Sequence, residues 1–225
     1  MYISLSPNSM PSTVGFSSRP FVRRFPVIPF VDAVNQVPNI TQLSSVTCNG
    51  SAGDGLWSSA SNWAGSAIPD QNNVAAVVIP SAQNVTFDSD TVGTIGSTIT
   101  NNGTLTFDGA TDYTFGQAIS GSGALVKTNT NTLTLSATNT YSGNTTISAG
   151  TIKLTGSVNA LTDLSIASGA TLDLQSTQTF ATLDLDGTIS RTAGSSELTI
   201  TGASDIGGSI TTSGTQDYEG AITLT

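Results

Sequence analysis

Asp184 and Asp186 stand two residues apart in "TLDLDGTIS" (182–190), and Asp173 stands next to last in the preceding phrase, "DLSIASGATLDL" (163–174). Residues two apart on a strand face the same side. If Asp173 stacks one coil below, three carboxylates present the oxygen-rich surface that Ca²⁺ takes. The plain alternative is a solvated acidic face. The Gly-Gly-x-Gly-x-Asp repeat of calcium-binding β-rolls is missing, and the solvated face is the reading adopted, with no metal and no cofactor assigned. Asp88 and Asp90 read the same way.

Other reactive side chains are scarce. There is no histidine and a single cysteine, Cys48. An intrachain disulfide and a Cys/His zinc site are therefore ruled out. Hydrolases and lyases need carboxylates together with Lys, Arg or His in one groove. Beyond residue 34 the basic residues are Lys127, Lys153 and Arg191. No catalytic residue is assigned, and a non-enzymatic role is expected. Trp57 and Trp63 offer two readings, a hydrophobic plug or a platform that stacks on a sugar; the plug is adopted.

Composition says what must position these groups. Charged residues make up 9% of the 225-residue chain, whereas Thr and Ser contribute 36 and 31 residues. β-branched, uncharged threonine suits a pleated surface. Residues for solvated helix faces are too few. Residues 35–225 hold three basic against fourteen acidic groups. That balance repels phosphate backbones, so nucleic acid is not an expected partner. No stretch reaches the roughly 18 apolar residues of a membrane span.

Three regions follow. Residues 1–45 contain six of the eight prolines, four phenylalanines (Phe16, Phe21, Phe25, Phe30) and the arginines Arg23 and Arg24. Proline at this density predicts an extended arm or leader. "RRFPVIPFVDAV" places two arginines before an apolar run, but two prolines and Asp32 break the run that a secretion signal needs. Residues 46–94 form a Trp-containing N-terminal cap with the first strands; "VAAVVIP" reads as a buried strand stopped at Pro80. Residues 95–225 are repeats of short alternating strands, among them Thr104–Phe107, Ala124–Lys127, Thr132–Leu135 and Thr151–Leu154. A strand-Gly-strand phrase recurs at steps of 19 and 20 residues, from Leu133 to Ile152 to Leu172. That step suits one coil of a parallel solenoid. The expected inward residues include Leu133, Leu135, Ile152, Leu154, Leu172, Leu174, Leu183, Leu185, Leu198 and Ile200. Lys127, Lys153, Asp173, Asp184 and Asp186 are expected outside.

"GSGALVKTNTNTLTLSATNTYSGNTTISAGTIKL" (121–154) resembles the passenger-associated β-strand repeat of bacterial autotransporter adhesins. The family phrase has a Gly-rich opening (Gly121–Gly123), a short strand ending in Lys (Leu125–Lys127) and a Thr-Leu-Thr-Leu strand (Thr132–Leu135). An Asn-x-Tyr-x-Gly turn (Asn139–Gly143) and a strand-Gly-strand exit (Thr145–Leu154) complete it. "GLWSSASNWAGSAIPDQNNVAAVVIP" is similar to the Trp-rich element that opens many bacterial β-helical surface proteins. "IGGSITTSGTQDYEGAITLT" is similar to repeats of filamentous haemagglutinin-like adhesins. These resemblances imply an all-β, right-handed parallel β-helix that is extracellular or on a cell surface.

Two functional expectations follow. In one, the chain is an adhesin-type stalk or passenger segment that serves a host or cell-surface receptor. In the other, it is a structural subunit that self-associates head to tail into a fibre or sheath. There Phe16, Phe21, Phe25, Phe30, Arg23 and Arg24 of the arm would pack on an adjacent acidic subunit.

Overall fold

A computed structural model describes residues 42–70, 72–88 and 98–225. The six arm residues named as interface candidates, and Asp90, lie outside the described residues. The described chain is a β-solenoid of about 7 turns. Its one helical turn is the 3-10 turn Ala60–Asn62.

Alternation builds the coils. In Thr132–Leu135 and Thr151–Leu154, Leu133, Leu135, Ile152 and Leu154 are buried while Thr132, Thr134, Thr151 and Lys153 are partly exposed. A strand this short cannot stand alone. Each one pairs in parallel with its counterpart a coil away: Thr132 with Thr151, and Thr151 with Thr171. Parallel pairing puts like on like, so inward residues form columns. One column runs Tyr113, Leu133, Ile152, Leu172, Ile189 and Ile210. All ten residues expected inward are buried. Each contributes about 1.5–3 kcal/mol of burial free energy.

The longest sheet has eight parallel strands, from Asn84–Phe87 to Ile222–Leu224; a second has six, from Tyr113–Phe115 to Ser209–Ile210. The third side is a four-stranded sheet at one end and a three-stranded sheet, Gln178–Phe180, Leu198–Ile200 and Gln216–Tyr218, at the other. Between them side-chain amides continue the bonding. Asn139 Oδ1 accepts from the Ile119 amide at 3.0 Å, and its Nδ2 donates to the carbonyls of Ala137 and Ser157. Gln178 Oε1 accepts from the Val158 amide at 3.0 Å.

One corner requires glycine. Gly103, Gly123 and Gly143 stack at intervals of one coil. A Cβ on Gly143 would sit 2.3 Å from the Gly123 carbonyl oxygen, and one on Gly123 would sit 2.3 Å from that of Gly103.

Trp57 and Trp63 form the plug. Both are 0% exposed, with ring centroids 4.6 Å apart. Their indole N–H groups donate to the carbonyls of Pro69 and Trp57. Full burial leaves neither ring a face for a sugar. Phe87 and Phe107 carry the aromatic packing onward from Trp57.

Candidate functional site

The structure separates the three aspartates considered for calcium. Asp173 lies on Thr171–Leu174 of the six-stranded sheet, opposite Lys153 and Ser190. Asp184 lies on Leu183–Leu185 of the eight-stranded sheet, opposite Ser165 and Asp205. The residue one coil below Asp184 is Ser165, whose hydroxyl donates to Asp184 Oδ2 at 3.3 Å. The expected stacking of Asp173 beneath Asp184 is corrected, because the intervening corner puts the two strands on different sides of the coil. Asp184 and Asp186 are exposed. Among the described residues no three acidic, histidine or cysteine side chains converge to hold a metal ion.

Asp173 also corrects its expected exposure. It points outward, as alternation requires, but is 5% exposed. The next corner folds over it. The Thr192 amide donates to Oδ1 at 2.9 Å, and the Thr192 hydroxyl and Gln175 Nε2 donate to Oδ2 at 2.5 and 2.8 Å. A carboxylate with this many donors is anchored in place rather than free for a ligand.

Lys127 is the second correction: expected outside, it is 1% exposed. It shares the inward face of Ala124–Lys127 with Leu125, in a column with Phe107 below and Ile147 above. The corner that follows turns its carbonyls onto the ammonium. Lys127 Nζ donates to the carbonyls of Thr128 and Asn129, the latter at 2.7 Å, and to Asn131 Oδ1 at 2.8 Å. Asn129 adopts φ of 60° to close that turn, a conformation asparagine tolerates. Burial pushes the Lys127 amine below its ordinary value, and nearby Asp108 and Asp112 oppose the shift. The group is consumed by its own loop, so it binds backbone rather than substrate.

Cys48 is 3% exposed, and burial raises its thiol above the usual range. A protonated, buried thiol is inert.

The outer face of the six-stranded sheet carries an open groove of about 500 Å³, lined by outward threonines with Lys153 and Ser190. Its floor is regular because the strands are in register: Thr132 lies beside Thr151, and Thr151 beside Thr171. Sequence reading named Lys153 but missed the groove, whose far wall depends on Thr192 closing over Asp173.

Within this stack, the coils that supply Lys127, Leu133, Tyr141 and Ile152 decide the comparison. Residues 125–154 match the passenger-associated-transport-repeat. The matched segment runs from Leu125 through Thr132–Leu135 to the end of Thr151–Leu154. It explains the Asn-x-Tyr-x-Gly turn physically. Asn139 is 2% exposed and bridges the third side, and Tyr141 is 0% exposed with its hydroxyl 2.7 Å from Thr145 Oγ1. Gly143 lies under the Gly123 carbonyl. No curated protein and no solved structure matches the chain. The repeat and the solenoid fold together fit an autotransporter passenger-type segment.

Proposed function

We propose that the chain is a non-enzymatic, surface-displayed passenger segment, an adhesin-type stalk whose coils hold a binding surface away from the cell. The observation that carries this reading is that the transport-associated repeat sits inside an uninterrupted parallel register. The eight-stranded sheet runs from Asn84–Phe87 to Ile222–Leu224 without a break. A repeat whose coils stack on equivalent coils adds length at about 4.8 Å per coil, and length is what a stalk supplies.

The side chains support the same reading. Asp173 and Lys127, two of the groups best suited to chemistry, are held by neighbouring loops. Electron micrographs of the purified chain test the proposal against the fibre reading. The stalk reading expects separate short particles at all concentrations. Filaments that lengthen with concentration would overturn it in favour of head-to-tail polymerisation.

A further inference from the structure

The groove on the six-stranded sheet has a composition that suits one class of ligand. The hydroxyls of Thr132, Thr134, Thr151, Thr171 and Ser190 and the ammonium of Lys153 line it. None of these side-chain groups makes a hydrogen bond or an ion pair to another described residue. Each hydroxyl can donate once and accept twice, and the ammonium can donate three times. The set therefore presents a dense, unspent field of donors and acceptors.

Its regularity matters as much as its chemistry. Thr132, Thr151 and Thr171 are Cα partners on successive coils, so their hydroxyls recur at about 4.8 Å along the stack. A surface with a repeating hydroxyl pattern reads a polymer with a repeating hydroxyl pattern.

Other ligand classes fit poorly. A peptide adds to a sheet through unpaired backbone groups, but the Thr132–Leu135, Thr151–Leu154 and Thr171–Leu174 strands are paired on both sides. An amphipathic partner needs an apolar groove, whereas this floor is hydroxyl. A polyanion meets one ammonium in a groove that also holds Asp112 and Asp173, on a body with fourteen acidic groups beyond residue 34. What remains is uncharged and rich in hydroxyls.

We propose that this groove binds a neutral, extended polysaccharide laid along the stack of coils. Thr132, Thr151 and Thr171 exchange hydrogen bonds with successive sugars, and Lys153 donates to sugar oxygens midway. Asp173, anchored by Gln175 and Thr192, forms the fixed far wall. The site is a property of the solenoid wall and stands independently of how the chain is exported or whether it is a stalk.

Native gel electrophoresis of the purified full chain, with polysaccharide cast into the gel, provides the test. The probes are a soluble mannan, a galactan, a mixed-linkage β-glucan and, as the anionic comparison, dextran sulfate. At least one neutral probe is expected to retard the chain. A combined Thr132→Val, Thr151→Val and Thr171→Val variant keeps β-branched residues on the strands and should weaken that retardation at least about tenfold through three lost hydrogen-bonding groups. Its melting temperature should match the parent's. The control, Thr106→Val with Thr146→Val on the outer face of the eight-stranded sheet, should leave retardation unchanged. If the triple variant melts early, Thr151→Gln must weaken retardation in its place. Retardation by none of the neutral probes, retardation only by dextran sulfate, or retardation that survives these groove substitutions would overturn the proposal.

Discussion

Lys127 Nζ donates to Asn131 Oδ1 at 2.8 Å from a position that is 1% exposed. The same ammonium serves the Thr128 and Asn129 carbonyls, so one side chain fixes the corner between two strands of the matched repeat. Lys127→Ala would strand these acceptors and empty the space beside Phe107. Such a change should cost about 2–4 kcal/mol. Lys127→Met keeps the stem and should cost roughly half as much, since apolar replacement of a buried charge removes its desolvation penalty. Urea denaturation of both variants measures the difference; an alanine variant as stable as the parent would contradict this role.

Tyr141 makes stability fall in alkali. Burial pushes its phenol up to about 12 from the ordinary 10. Below pH 10 both folded and unfolded chains keep the proton. Between pH 10 and about 12 only the unfolded chain loses it, which favours unfolding by about 1.4 kcal/mol per pH unit. Lys127 acts in the opposite sense, because its amine is lowered from 10.5 and the folded chain releases that proton first. Comparing Tyr141→Phe with the parent isolates the tyrosine. The variant loses the hydrogen bond to Thr145 at every pH, and its stability should decline less from pH 10 to 11.5. Parallel declines would show that Tyr141 is not the responsible group.

Gly123→Ala should lower stability by about 2 kcal/mol or more, because its Cβ would lie 2.3 Å from the Gly103 carbonyl oxygen and the coils would have to separate. A neighbouring change, Ser122→Ala at an exposed position, should stay within about 0.5 kcal/mol. Thermal melts that rank the two variants equally would mean that the corner is looser than described.

Leu172 lies 2% exposed between Ile152 and Ile189 in an inward column. Leu172→Asp places an unpaired carboxylate there and should cost several kcal/mol. A melting curve like the parent's would reverse the inward assignment of that strand.

Much of this was legible in the sequence. Thr104–Phe107, Ala124–Lys127, Thr132–Leu135 and Thr151–Leu154 have the bounds that alternation predicts. The step of 19 and 20 residues likewise matches the pairing of Leu133, Ile152 and Leu172. Two strands that alternation does not mark are short and put a polar residue inward. Gln178–Phe180 starts on buried Gln178 and Ser204–Ile206 on buried Ser204, so no apolar alternation marks them. Lys127 departs from what its charge suggests and follows its position: alternation alone places it on the same face as Leu125. Asp173 takes the outward face that alternation predicts but is buried there, since Thr192 covers it from a corner nineteen residues on. Such closures depend on loop paths that periodicity does not encode.

Surface display is tested most directly by where the chain is found. Antibodies raised against residues 98–225 should label intact, unpermeabilised source cells, and brief protease treatment of those cells should remove the label. Labelling that appears only after the cells are permeabilised would contradict a surface-displayed passenger segment.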